Sequence, residues 1–421
     1  MFRFLHTADI HLDSPLHKLD YYEGAPVDEL RQATRRAFDN LVQTAIRENV
    51  SFVLIAGDLY DGDWKDYNTG LYFVSQMNRL RDADIPVYIV AGNHDAASKI
   101  SRVLRLPESV HLFPTQKPAT LCIDNIDVAI HGQSFASPAV KKNLSAKYPP
   151  RLPGSFNIGI LHTCVTGREG HEPYAPCTME GLRSKEYNYW ALGHVHQHEV
   201  LMDDPLVVFS GNIQGRHVRE TGAKGCVLVS VDDSGRPDLE FKPLDVIRWV
   251  IVTVDASGAV SGYDVVDRFN KHLEKFLDEN EGLPLVTRVV IEGDTHVHTE
   301  LASDTERWTN EIRSATVDTS EGQVWVEKVK FHTKPPLSDK ALKSADGAIR
   351  ELVHLLDELH SDPDRLYNLA DELADLEKKV PRELKEGADG IRFDDPKWLG
   401  GLLDQVRPML LRRLIREEES E

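Results

Sequence analysis

Phe52-Val53-Leu54-Ile55-Ala56-Gly57-Asp58-Leu59-Tyr60-Asp61 is the stretch on which the reading of this chain turns. Five apolar residues without a polar interruption predict a strand buried on both faces, as in the interior of a parallel sheet. The motif that follows puts carboxylates where that strand leaves the core. Working outward, the arrangement recurs: Asp9-Ile10-His11 follows the run 2–7, Gly92-Asn93-His94-Asp95 follows 87–91, and Ile160-Leu161-His162 closes the run 157–161. Gly193-His194-Val195-His196 completes the series. Carboxylate, amide oxygen and imidazole are ligands that first-row divalent ions accept, with no thiolate competing among them. Strand ends can bring such groups together with little loss of order, and the five motifs suffice for a two-metal site.

An amphipathic helix over 28–48 precedes the strand at 52, which is α/β logic. Further strands at 121–123, 128–131, 206–210 and 226–231 predict two sheets with helices on both outer faces. A small α+β region follows, with strands at 249–254, 285–291 and 324–331 and helices at 263–277 and 299–314. Lys334-Pro335-Pro336 then breaks the chain. Beyond it, Leu366, Leu369, Leu373, Leu376 and Val380 mark one face of a helix that Pro381 ends. A second apolar set, Trp398, Leu399, Leu402, Leu403 and Leu410, lies further on. The expected domains are 1–245, 246–335 and 336–421.

The 421 residues are 41% hydrophobic and carry a net charge of -19. That acidity argues against a general nucleic-acid coat, since phosphate contacts come from clustered Lys and Arg. It argues less against a nuclease, because each bound divalent ion adds two positive charges where a phosphodiester would lie. Cys122, Cys164, Cys177 and Cys226 form no CxxC pair, which predicts a reduced protein without a zinc knuckle. Cys164 reads as a small buried side chain. No signal-like stretch precedes Asp9 and no window approaches the ~20 apolar residues of a membrane span, so the expected location is cytoplasmic, with no membrane partner.

In order and with these flanks, the five motifs resemble those of the calcineurin-like metallophosphoesterases. The opening Phe4-Leu5-His6-Thr7-Ala8-Asp9-Ile10-His11-Leu12-Asp13 resembles the SbcD-type DNA repair nucleases among them, and Ser210-Gly211-Asn212-Ile213-Gln214-Gly215-Arg216 resembles a bacterial YhaO-like branch. The resemblance covers roughly the first half of the chain. It implies an α/β fold, α+β by some schemes: a four-layer αββα sandwich with a small α+β capping domain and a helical tail. It implies two divalent ions, manganese first, with iron or zinc as alternatives. Asp9, His11 and His196 would hold one ion, Asn93, His162 and His194 the other, with Asp58 between them. Residues two apart on an extended chain point the same way, and a carboxylate has two oxygens with which to bridge. The implied function is a metal-dependent DNA exonuclease in repair. Polarity from 3′ to 5′, endonuclease activity, an SMC-like ABC ATPase partner gripped by the C-terminal helices, and a homodimer follow from the resemblance alone.

His94, one residue past a metal-binding Asn93, is placed to give a proton to the leaving oxygen, with Asp95 expected to orient it. Asp61 stands where the archaeal and eukaryotic nucleases carry a second histidine, so that residue's role in orienting DNA does not carry over. Gly62-Asp63 replaces the Arg-Gly of protein phosphatases, which disfavours phosphoprotein hydrolysis. Arg216 and His217 are open to a substrate phosphate or to a surface salt bridge. Lys99, Arg102 and Arg105 form a basic strip or an ordinary solvated helix face. His296-Val297-His298 repeats the spacing of the last motif outside the pattern and reads as solvated, and His131 reads as a satisfied, partly buried histidine. Two other functions stand beside the nuclease: a phosphodiesterase or phosphatase on a small nucleotide, and a catalytically quiet structural subunit of an ATPase complex.

Overall fold

The computed structural model describes residues 1–14, 27–61, 67–97, 105–165, 174–280, 282–336 and 347–362, with short stretches at 365–366, 379–380, 391–393, 395–403 and 406. Lys99, Arg102, Leu410 and most of the 366–380 helix face lie outside the described residues. Two compact units emerge: Met1–Ile251 with Phe276–Arg288 and Ser320–Glu327, and Val252–Lys275 with Val289–Thr319 and Lys328–Glu421.

The first unit is built on two six-stranded sheets. One is ordered β12-β11-β1-β2-β3-β4 and the other β5-β6-β7-β8-β10-β9. In the first, β1 (Phe2–Thr7), β2 (Phe52–Ala56), β3 (Val87–Val90) and β4 (Val110–Leu112) run parallel, while β11 (Gly225–Val231) and β12 (Pro237–Pro243) close one edge antiparallel. In the second, β6 (Val128–Gly132), β7 (Phe156–His162), β8 (Tyr189–Gly193) and β10 (Leu206–Phe209) run parallel between the antiparallel edges β5 (Ala119–Ile123) and β9 (Glu199–Asp203).

Alternation along each strand explains the layers. Phe4, Phe52, Leu54 and Tyr88 face Ile158, Ile160, Tyr189 and Val208 between the sheets; Phe4 stacks on Phe52 with centroids 4.9 Å apart. Leu5, Val53 and Ile55 point the other way, onto Phe38, Leu41 and Phe73 of α1 (Val27–Arg47) and α2 (Tyr67–Asp82). Burying each such side chain contributes about 1.5–3 kcal/mol. On the outer face of the second sheet, Leu161, Trp190, Val207 and Phe209 are covered by Tyr148, Tyr187 and Leu182. Helical cover there is thin among the described residues: a 3-10 turn, Ser145–Lys147, and α4 (Met179–Arg183), which follows the five-residue α3 (Asn93–Ala97). The architecture is the expected sandwich of two sheets with helices outside.

β13 (Arg248–Asp255), β14 (Leu285–Asp294) and β15 (Val324–Lys334) form a third sheet in that order. Its helices are α5 (Gly262–Glu279), α6 (His298–Ser303) and α7 (Thr305–Ser320). The single helix expected over 299–314 is therefore two. Asp304 separates them, with φ -146° and its side chain accepting from the Arg307 N–H at 3.0 Å; an aspartate that caps a helix starts a new one. In the tail, α8 (Gly347–Ser361) buries Leu356 and Leu359. Phe393 packs edge-on against Trp398 and, like Leu399, is buried, so part of the second apolar set is covered within the chain. No helix of the described residues is long and apolar enough to cross a membrane.

Candidate metal centre

The loops beyond β1 and β2 stay paired after the strands end: Asp9 N–H donates to Gly57 O at 3.0 Å, His11 N–H to Asp58 O at 3.0 Å and Leu12 N–H to Leu59 O at 2.9 Å. To hold this register, Asp9, His11 and Asp58 take left-handed backbone angles, with φ of 50°, 45° and 52°. Such angles in non-glycine residues cost about 1–3 kcal/mol each and persist where surroundings over-determine them. The motif glycines are required by close approach. A Cβ on Gly57, whose φ is +98°, would lie 2.4 Å from His162 Nδ1, and one on Gly92 would lie 2.3 Å from Asp58 Oδ1.

Among the described residues, three overlapping sets of ligand-type atoms lie within 4.8 Å of one another: Asp9, His11 and His196; Asp9, Asp58 and His162; His11, Asp58 and His94. His11 Nε2 and His196 Nε2 face each other at 3.3 Å. His162 Nε2 stands 3.0 Å from Asn93 Oδ1 and 3.4 Å from Asp58 Oδ2. Its Nδ1 is 2.9 Å from Ala56 O, which as an acceptor keeps the proton on Nδ1 and the Nε2 lone pair directed inward. His194 sits beside these sets. Its N–H donates to both Asp9 oxygens, at 3.1 and 2.9 Å, and its ring lies 5.3 Å from that of His162. The structure thus gathers the seven residues expected as ligands into one place, with His94 among them.

Charge in this cluster is unbalanced. Burial pushes the Asp9 carboxyl up to about 6 against the opposing pull of His196, and burial with neighbouring Asp95 and Asp9 raises Asp58 well above the carboxylate range. Burial, with nearby Arg216 for His11 and His194 for His162, holds both imidazoles well below their usual value. Neutral imidazoles and carboxylates short of positive charge are the donor set that divalent ions complete. The residues present fit two such ions.

Beside the cluster, His94 Nδ1 meets Asp61 Oδ1 at 2.7 Å. Burial pushes Asp61 up, but the hydrogen bonds from His94 and Ser14 and the Arg216 charge outweigh it and hold the carboxyl down to about 2. The His94 ring nitrogen thus meets Asp61 and not Asp95, the partner expected from the sequence. Asp95 instead accepts from Tyr60 N–H and Gly92 N–H, both at 3.0 Å, and closes the turn that carries Asn93. Arg216 is mostly buried and pairs with Glu220 at 3.2 Å and Asp61 at 3.6 Å, so of its two expected roles the structure shows an ion pair, an internal one. His217 is half exposed beside Glu220. Glu220 is the residue that sequence reading missed: its Oε1 is 2.7 Å from His196 Nδ1. A cavity of about 570 Å³ opens onto the cluster, lined by Asp58, Asn93, His94, His194, His196 and Lys224 among others.

His131 bonds to Thr120 at 2.8 Å and Asn157 at 3.0 Å inside its sheet, as a satisfied histidine would. Cys164 is buried, and Arg105 is exposed.

Residues 2–198 match the calcineurin-like phosphoesterase family model, and residues 249–334 match the middle domain of metallophosphoesterase YhaO. An uncharacterized metallophosphoesterase YhaO of Bacillus subtilis is 34% identical over 298 residues, 69% of this chain and 71% of that protein. DNA double-strand break repair protein Mre11 of Sulfurisphaera tokodaii is 24% identical, over 69% of this chain and 73% of its own length. The Methanopyrus kandleri protein of that name is 26% identical, over 61% and 60%. With its strand-end cluster of acids and imidazoles, this chain belongs to the calcineurin-like metallophosphoesterases and is of the YhaO type.

Proposed function

We propose that the protein is a metal-dependent DNA exonuclease, manganese-activated, that acts in repair in the cytoplasm. The observation that carries this reading is the pairing of His94 with Asp61 at the edge of the acid–imidazole cluster, in a chain similar to proteins named for double-strand break repair. Asp9, His11 and His196 would hold one ion, Asn93, His162 and His194 the second, and Asp58 both. Ions bound there would polarise the phosphodiester and lower the pKa of a water molecule.

The rest of the chemistry falls to the chain's own groups. Paired through Nδ1 with the Asp61 carboxylate, His94 in its imidazolium form would give the Nε2 proton to the departing oxygen and be left neutral, with the Nδ1 proton still directed at Asp61. Asp95 fixes the Gly92–Asn93 turn, so the proton donor and the Asn93 oxygen keep one relative position. Partner and assembly extend the same reading: the C-terminal helices, α8 among them, would dock an SMC-like ATPase, and two copies would associate.

A second reading, hydrolysis of a small nucleotide, is favoured by the net charge of -19, which suits a long polyanion poorly. End-labelled duplex and single-stranded DNA with Mn2+, beside a chromogenic phosphodiester, separates the two. Stepwise shortening of labelled DNA supports the nuclease. Cleavage of the small ester alone, with the DNA untouched, overturns it.

A further inference from the structure

The loop after β10 holds a carboxylate that neither the motifs nor the proposed chemistry uses. Glu220 is buried at 5% exposure, yet three groups converge on it besides His196: the Arg216 N–H at 2.8 Å and the Asn212 amide at 3.0 Å on Oε2, and Arg216 Nη2 at 3.2 Å on Oε1.

A carboxylate oxygen 2.7 Å from His196 Nδ1 accepts a hydrogen bond from that nitrogen. The other nitrogen, Nε2, is then the unprotonated one, and it is the one that faces His11 Nε2. Carboxylate–imidazole pairs of this kind fix the tautomer and ring orientation of a metal-binding histidine and increase its basicity. Lys224 Nζ, on His196 O at 3.0 Å, holds the same residue from its backbone side. The contacts continue from Glu220 through Arg216 to Asp61 and on to His94, with Ser14 bonded to both Arg216 and Asp61.

We propose that Glu220 is a positioning residue for the metal centre: it aims His196 Nε2 at one ion and, through Arg216 and Asp61, sets that ion's ligand and the proton donor His94 in one frame. The proposal rests on the two-metal reading of the cluster.

Its test is metal binding, measured apart from activity. The full chain, stripped with a chelator, is titrated with Mn2+ by calorimetry as wild type and as Glu220→Gln, which keeps the shape and removes the charge. Both are melted in chelator to compare the metal-free fold. The expected result is two ions on the wild type, and in Glu220→Gln one of the two bound about 10- to 100-fold more weakly. The metal concentration that half-saturates phosphodiester hydrolysis should rise by the same factor, with the rate recovering at saturating Mn2+. A lost fold could not be rescued in this way. If Glu220→Gln is unfolded in chelator, Glu220→Asp, which keeps the charge with a shorter reach, is titrated instead and should show the same loss in smaller measure. Unchanged affinity at both sites, or a rate loss that saturating metal does not repair, overturns the role of Glu220. A wild type that binds two ions and leaves DNA intact overturns the nuclease, with Glu220 still decided by the titration.

Discussion

The chain spells His-Val-His twice, at 194–196 and at 296–298, and among the described residues only the first pair has a member in a cluster of ligand-type groups. The valine is buried in both, Val195 at 2% and Val297 at 5%, so the anchor is alike. The backbone on either side differs. His194 leaves β8 with φ of 106° and its N–H on Asp9, and His196 then meets His11 on one nitrogen and Glu220 on the other. Val297 (φ -83°, ψ 3°) already turns into α6; His296 is exposed and His298 Nδ1 pairs with Thr333 Oγ1 at 2.9 Å. Neither triplet is an extended strand, so the spacing by itself aligns nothing; it makes a site only where other strand ends deliver partners to the same place.

That contrast is most sharply tested at His94, which also stands just past a strand end but is assigned to proton transfer. His94→Ala should lower phosphodiester hydrolysis by ~10²- to 10⁴-fold while leaving bound metal unchanged. Metal analysis beside the rate decides it. If one ion is lost together with the rate, His94 belongs with His11 and Asp58 as a ligand, and the line drawn between ligands and proton donor fails.

The strand-end geometry itself can be broken without touching a ligand. Gly57→Ala forces a Cβ to 2.4 Å from His162 Nδ1 at a φ of +98°. Strain and displacement together should cost about 3 kcal/mol of stability, read as a lower urea midpoint with an unchanged slope. The metal should also bind more weakly, because the atom pushed aside is the one that Ala56 O holds in place. A normal midpoint would mean that the turn has room which the backbone angles deny it.

What could be read in the sequence follows the same division. β2 and β3 were legible as uninterrupted apolar runs, β1 and β7 as apolar runs broken by a few polar residues such as Arg3 and Asn157, and the ligands because each stands within a few residues of a run's end. β9, with alternating exposure, and β12, Pro-Asp-Leu-Glu-Phe-Lys-Pro, gave no such signal because edge strands face solvent and tolerate charge and proline. Glu220 was invisible for another reason. It lies 24 residues beyond His196, in a loop whose path no local pattern predicts, and only the fold brings the two to 2.7 Å. The contact of His94 with Asp61, where Asp95 was expected, has the same origin. Asp95 is His94's neighbour in sequence, but in the short helix α3 it points back to Tyr60 and Gly92, leaving Asp61, 33 positions upstream, to reach Nδ1. The break at Asp304 did carry a local signal, Ser-Asp followed by Thr-Glu, which is helix-start chemistry inside a stretch of helical periodicity.

A histidine inside a sheet should behave unlike those at the ends. His6, in β1, is fully buried against Tyr189 Oη at 2.9 Å and Leu192 O at 3.2 Å, and burial lowers its pKa to about 3. A depressed imidazole gives stability that is present above the unfolded value near 6.5 and is lost as pH falls toward about 3, since the unfolded chain binds the proton first. Between pH 6.5 and pH 5 the loss from this residue should be about 2 kcal/mol. His6→Gln keeps a donor for Leu192 O and does not titrate. Urea unfolding of both proteins in chelator, at pH 6.5 and at pH 5, isolates the effect, because titrations common to the two cancel in the difference. Equal pH slopes would show that His6 takes up its proton without leaving the sheet.

The smallest effect should come from the second triplet. His296→Ala removes an exposed imidazole that meets no group of the cluster, so stability should stay within about 0.5 kcal/mol of the wild type and the Mn2+ titration should be superimposable. His196→Ala, with the same letters at the same spacing, should lose one ion. The pair of variants turns the comparison into a single measurement of stoichiometry. Should His296→Ala also change the number of ions bound, spacing alone would have made a second site, and the requirement for converging strand ends would be wrong.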